Sequence, residues 1–149
     1  MLRLILLLAI ATVAGAGDAG VKAQFIGGTL SGVRAKSGAR LDLTAADALR
    51  FQCGKTDLHI DYKKVNTLEY GQNVSRRYAA AILISPLLLL SKSRRHYVTL
   101  GFVDEAGIQQ ALVFRVEKGD IRMVLASLEA RTGRRVEYQD DEARKSGKG

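Results

Sequence analysis

Along most of this chain apolar and polar positions alternate with a period of two, the signature of strands that bury one face. Residues 39–44 (ARLDLT) alternate, 45–47 turn, and 49–53 alternate again. A hairpin signal follows at 54–57 (GKTD); Leu58, Ile60 and Tyr62 then share one face, and 65–71 continue as a further strand. Farther on, Val98, Leu100 and Phe102 line one strand, 104–107 (DEAG) turn the chain, and Leu112, Phe114 and Val116 line the returning strand. With a strand around 21–30, the pattern predicts about seven short antiparallel strands, as in a small barrel or sandwich.

The period then changes. Ile121, Val124, Leu125 and Leu128 fall at i, i+3, i+4 and i+7, which predicts a helix with one buried stripe. Asp120 is placed to cap its start, Gly133 to stop it, and Arg131 suits the negative end of its dipole. Val136 and Tyr138 predict a last short strand or a docked end. The polar, glycine-containing residues 139–149 read as a disordered tail.

One stretch breaks the alternation. Residues 78–90 (YAAAILISPLLLL) are apolar almost throughout, with Arg76 and Arg77 before them and Lys92, Arg94 and Arg95 after. This insertion, 76–95, falls between the predicted fifth and sixth strands. As a helix, about thirteen residues would reach only some 20 Å, against a hydrocarbon core near 30 Å, so it is no ordinary transmembrane span. Pro86 would break a continuous helix, whereas Ser85–Pro86 suits a helix start; a helix–break–helix or a hairpin is the more natural form. Ile82, Leu83, Leu87, Leu88, Leu89 and Leu90, with the five flanking cations, are the candidate contact residues. Three destinations fit them. One is an anionic membrane surface, where each cation near the head groups contributes about 1 kcal/mol. The second is burial, against the chain's own barrel or at an interface with a partner or another copy. The third is re-entrant insertion into a bilayer.

Residues 1–16 read as an export signal. Arg3 gives a positive start, 4–13 an apolar core too short for a span, and Ala14-Gly15-Ala16 a small-x-small cleavage site. The expected mature chain starts near Gly17, in the periplasm or cell envelope if the source is bacterial. The net charge of +8 favours acidic partners such as anionic lipid, envelope polyanions or nucleic acid. Cys53 is the single cysteine, in phase with Leu49 and Phe51, so it reads as a small buried hydrophobe.

Seven antiparallel strands followed by one amphipathic helix resemble the pleckstrin-homology-like (PH/GRAM-like) superfold. Residues 58–65 (LHIDYKKV), 68–72 (LEYGQ) and 128–133 (LEARTG) are also similar to uncharacterised exported bacterial proteins with that predicted fold. The resemblance covers roughly residues 25–138. It implies a mainly β, partly open barrel plugged by a terminal helix, and a binding module for phosphoinositides, peptides or proteins rather than an enzyme. It also implies a basic loop between the first two strands, where Arg34, Lys36 and Arg40 stand around Ser37–Gly38. The apolar insertion departs from ordinary members.

Other chemistry is thin. Two isolated histidines and one cysteine do not make the ligand set of a zinc site, and no calcium loop or phosphate loop is present. Asp42, Asp47, Asp57, Asp61 and Glu69 lie on polar faces and turns without the pairing that acid/base catalysis needs. Most aromatics fall in phase with core residues, which argues against single-strand nucleic-acid binding. The sequence therefore points to a non-enzymatic, exported binding module with no cofactor. Its expected partner is an anionic membrane surface or a protein, the latter including another copy of itself.

Overall fold

The alternating segments fold into strands β1 (Val21–Gly28), β2 (Ser37–Asp42), β3 (Ala48–Cys53), β4 (Thr56–Asp61), β5 (Val65–Gly71), β6 (His96–Val103), β7 (Gln109–Val116) and β8 (Glu137–Tyr138). Among the described residues these are joined by helices α1 (Ile121–Thr132) and α2 (Asp141–Lys148), and a 3-10 turn, Tyr62–Lys64, links β4 to β5. These elements are those of a computed structural model, which describes residues 20–72, 95–139 and 141–148. The predicted export signal and all of the insertion except Arg95 lie outside the described residues.

The strands form one curled half-barrel sheet in the order β4-β3-β2-β1-β7-β6-β5-β8. Neighbours pair antiparallel except β8, which runs parallel to β5 through Glu69↔Glu137 and Tyr70↔Tyr138. The described residues thus hold eight strands in a mixed sheet and two helices, where the sequence predicts about seven antiparallel strands, a short strand or docked end at Val136 and Tyr138, and one helix. β8 arises because the chain returns from α1 alongside the outer edge of β5. Gln139 N donates to Tyr70 O at 3.1 Å there, and the Arg134 guanidinium donates to Val65 O at 3.3 Å. The tail expected to be disordered forms α2. Its first turn carries Asp141 and Glu142, which suit the positive end of the dipole. Its docking surface is made by Ala143 and Gly147, against Leu125, Tyr70 and Tyr138. Small residues give little hydrophobic signal, so composition conceals the contact.

Curvature has local causes. The pairing slips by one residue between Phe25 and Gly27 of β1 and between Val65 and Thr67 of β5. Such bulges bend and twist a strand. The concave side holds the core: Phe25, Leu41, Phe51, Ile60, Leu68, Leu100, Leu112 and Phe114 meet Ile121, Val124, Leu125 and Leu128 of α1. Gly133 ends α1 in the left-handed region at φ 68°, its N–H donating to Glu129 O at 3.0 Å, as the sequence predicted. Asp120 occupies the N-cap position, but its side chain makes no capping bond.

The convex side is divided. Over β2–β4 it is polar and wet: Arg50 Nε donates to Asp57 Oδ1 at 2.9 Å and its Nη2 to Oδ2 at 2.5 Å, with exposed His59 beside them. Over β5, β6, β7 and β1 it is dry. Ile26, Tyr97, Ala111 and Val113 are at most 6% exposed, yet none belongs to the concave cluster. Thr99 and Glu69 are buried among them. Strands buried on both faces read as near-continuous apolar runs, which is what 97–102 (YVTLGF) and 111–114 (ALVF) are.

Phe114 has no exposure and sits at the centre of the concave cluster, so Phe114→Ala is expected to cost about 3–5 kcal/mol in urea unfolding. His59→Ala, on the wet half, should stay within about 0.5 kcal/mol of wild type in the same titration.

Candidate functional site

The insertion leaves and rejoins the sheet at one place. β5 ends and β6 begins as a paired couple, Gly71↔Tyr97, and Arg95 N donates to Gln72 O at 3.3 Å just beyond it. Arg95 is exposed. Arg76, Arg77, Ile82, Leu83, Leu87, Leu88, Leu89, Leu90, Lys92 and Arg94 lie outside the described residues. What the structure defines is therefore the base of the candidate contact element.

That base is built from ring systems and amides. His96, the first residue of β6, faces the concave side in phase with Val98 and Leu100. There its Nδ1 and the Tyr70 hydroxyl share a 2.6 Å hydrogen bond, whose direction depends on the imidazole tautomer. The two rings stack at 6.0 Å with 13° between planes, and Tyr138 of β8 meets Tyr70 edge-on at 5.9 Å. Burial lowers the His96 pKa from its ordinary 6.5; Lys118 pushes the same way and Glu117 opposes. Burial likewise raises the Tyr138 hydroxyl above its ordinary value. Gln72 Nε2 donates to Ser146 Oγ of α2 at 2.6 Å, and Gln139 Nε2 donates to Glu69 Oε1 at 3.2 Å. Gly71 leaves room for the Gln139 amide, which a Cβ at this position would displace. The end of the chain and the base of the insertion are thereby fastened to each other.

The remaining candidates separate. Arg34 and Lys36 are exposed in the β1–β2 connection, where Ser37 Oγ donates to Arg34 O at 2.7 Å and Gln24 Nε2 to Lys36 O at 3.1 Å; Arg40 is half-buried in β2. Cys53 is buried as expected, and burial raises its thiol pKa. The carboxylates mostly hold turns. The Thr44 hydroxyl and N–H keep Asp42 below the usual carboxylate range, Arg50 does the same for Asp57, and Asp61 accepts from Lys63 N at 2.8 Å. Glu69 corrects the expectation: it lies not on a polar surface but on the dry half of the convex face.

Two clefts accompany these groups. One, of about 370 Å³, lies between β4 and the 104–106 turn, with Leu58, Ile60 and Phe102 inside and Asp61, Lys64 and Asp104 at its rim. Its carboxylates are already engaged: Asp104 accepts from Gln110 Nε2 and Ile108 N at 2.8 Å each, which lowers its pKa. The other, of about 640 Å³, runs between α1 and β1–β2, with Leu41, Leu43 and Met123 among Lys22, Glu117, Asp120 and Arg131. Among the described residues no three of His, Cys, Asp and Glu cluster as metal ligands, and no helix is long and apolar enough to cross a membrane.

Sequence reading missed the Tyr70–His96–Tyr138 group and the dry convex half. The signal was present in 97–102 and 111–114, where both alternation phases are apolar or small. Counting only one phase assigned them a single buried face.

Because the folded His96 binds its proton at a lower pH than the unfolded chain does, the unfolded state holds more protons below about pH 6.5. Stability should therefore be unaffected by this group above that pH and fall as pH drops through it. Thermal melts at about pH 7.5 and about pH 5 should show a larger loss for wild type than for His96→Gln. Equal losses would mean that His96 does not contribute. No family model matches this chain, and no curated protein does.

Proposed function

We propose that this chain is a non-enzymatic binding module that makes peripheral contact with an anionic membrane surface through residues 78–90 and the cations beside them. The observation that carries this reading is the closed base. With Gln72 and Arg95 hydrogen-bonded, Arg76, Arg77, Lys92 and Arg94 are all within five residues of a single point on the sheet. Five residues reach at most about 18 Å, so both cation clusters are confined to one end of the molecule. Each contributes attraction of about 1 kcal/mol per cation near anionic lipid, and the net +8 adds long-range steering.

The architecture supports a binding role. Strands β1–β7 in the order 4-3-2-1-7-6-5, curled around α1 on the concave core, support reading the chain as the pleckstrin-homology-like module its sequence resembles. Asp42, Asp57, Asp61 and Asp104 are engaged in turns and an ion pair. With residues 1–16 as an export signal, the site of action is the periplasm or cell envelope of a bacterial source. A second reading keeps the module and replaces lipid by a protein partner or a second copy of the chain. Its favouring observation is the near-continuous apolar run at 78–90, since a large exposed apolar patch marks association.

Sedimentation with vesicles of anionic and of zwitterionic lipid tests the first reading. Wild type is expected to pellet with anionic vesicles only, and Leu88→Asp to bind at least about tenfold more weakly, since tenfold corresponds to only about 1.4 kcal/mol. Equal recovery of both proteins in the supernatant would sink it. Light scattering without lipid tests self-association: a mass that falls on Leu88→Asp supports the second reading, and a monomeric wild type removes its self-assembling form.

A further inference from the structure

The outer side of β4 has a definite chemistry. β4 is a terminal strand of the sheet, and among the described residues no strand pairs with its outer edge. Cys53 stands opposite Thr56 across the β3–β4 hairpin, and Tyr62 N donates to Asp47 O at 3.0 Å. Bonded pairs alternate along an antiparallel ladder, so Thr56, Leu58 and Ile60 are the residues that exchange main-chain bonds with β3. The N–H and C=O groups of Asp57 and His59 therefore point to the open side. Across from that edge stands the 104–106 turn, with the cleft of about 370 Å³ between them. Leu58, Ile60 and Phe102 give it an apolar lining, and Asp61, Asp104 and Glu105 stand there against the single cation Lys64. Asp61 and Asp104 are held by uncharged N–H donors, so both carboxylates keep their charge. The cleft is thus acidic in a chain of net charge +8.

We propose that this edge and cleft take up an extended segment of a partner protein, alternating apolar and basic residues, as an added antiparallel strand beside β4. Its main chain bonds to Asp57 and His59, the mode in which a peptide extends an exposed sheet edge. Successive side chains of a strand point to opposite faces. Those level with Leu58 and Ile60 enter the apolar cleft. Those level with Asp57 and His59 lie on the wet convex side beside Asp61, since Asp57 already pairs with Arg50. Charged side chains along an edge turn most strands away, and acidic ones leave a basic strand as the favoured partner. A second copy of the chain brings the same acids to the seam, where like charges oppose each other. General charge attraction does not account for the choice, because the +8 chain as a whole repels a basic peptide. The cleft lies at the far end of β6 from Arg95, roughly 24 Å away. The surface therefore goes beyond the membrane reading and uses no part of the insertion.

A synthetic peptide of alternating valine and lysine, as long as β4, tests the edge on the unsubstituted protein. Amide hydrogen exchange is followed by nuclear magnetic resonance. With peptide at about ten times its Kd, exchange at the Asp57 and His59 amides is expected to slow about tenfold. The Leu58 and Ile60 amides, already bonded to β3, are expected to change little. Two control peptides should leave all four unchanged: one alternating valine and glutamate, and one carrying N-methyl groups on its lysine amides, which removes the bonds to β4. No slowing at Asp57 and His59, or equal slowing with either control, would overturn the proposal. So would protection of these amides that grows with protein concentration in the absence of peptide, because the occupant is then a second copy.

Discussion

Strands β5, β6 and β7 must lose water from both faces, and most of the molecule is arranged around that demand. On the concave side Leu68, Leu100, Leu112 and Phe114 are covered by the stripe of α1. On the convex side Tyr97, Ala111 and Val113 are equally dry. Fully burying a large aliphatic or aromatic side chain contributes roughly 1.5–3 kcal/mol, so a layer on each side multiplies what these short strands return. β2–β4 face no such demand. Their outward positions carry Arg50, Asp57 and His59, and the convex side of the sheet there meets water.

Where the two regimes meet the chain's ends, small residues do the joining. Gly71 admits Gln139, Gly147 admits the rings of Tyr138 and Tyr70, and Ala143 is fully buried against the same cluster. The Tyr70–His96 bond lies directly inside the point where the insertion departs and ties the start of β6 to the end of β5.

Much of this was legible from periodicity. Leu58 and Ile60, Val98 to Phe102, Leu112 to Val116 and the stripe from Ile121 to Leu128 all fall where the alternation and the helical spacing placed them, and Gly133 stops α1 as a left-handed residue should. What escaped has physical reasons. Val136 and Tyr138 pointed to a short strand or docked end, but not to its parallel pairing with β5, which is held through main-chain bonds to Tyr70 that side-chain pattern does not encode. α2 docks through Ala143 and Gly147, which hydropathy hardly weighs. Glu69 alternates as a surface residue should, and only the strands beside it reveal that its face is covered. Of the candidate contact residues only Arg95 is described, and the structure adds what no spacing could: its closure onto Gln72.

The two-residue β8 has a consequence for how copies of this chain can meet. A sheet normally ends in two rows of unpaired peptide groups, and a molecule with two such rows can string into open-ended ribbons. Here one end is blunted by a strand of two residues backed by α2, and by the Arg134 side chain on Val65 O. Among the described residues β4 is left as the one long free edge, with Asp57, His59 and Asp61 along it. Two such edges paired through their main chains would close as a symmetric pair, each β8 end facing away from the seam.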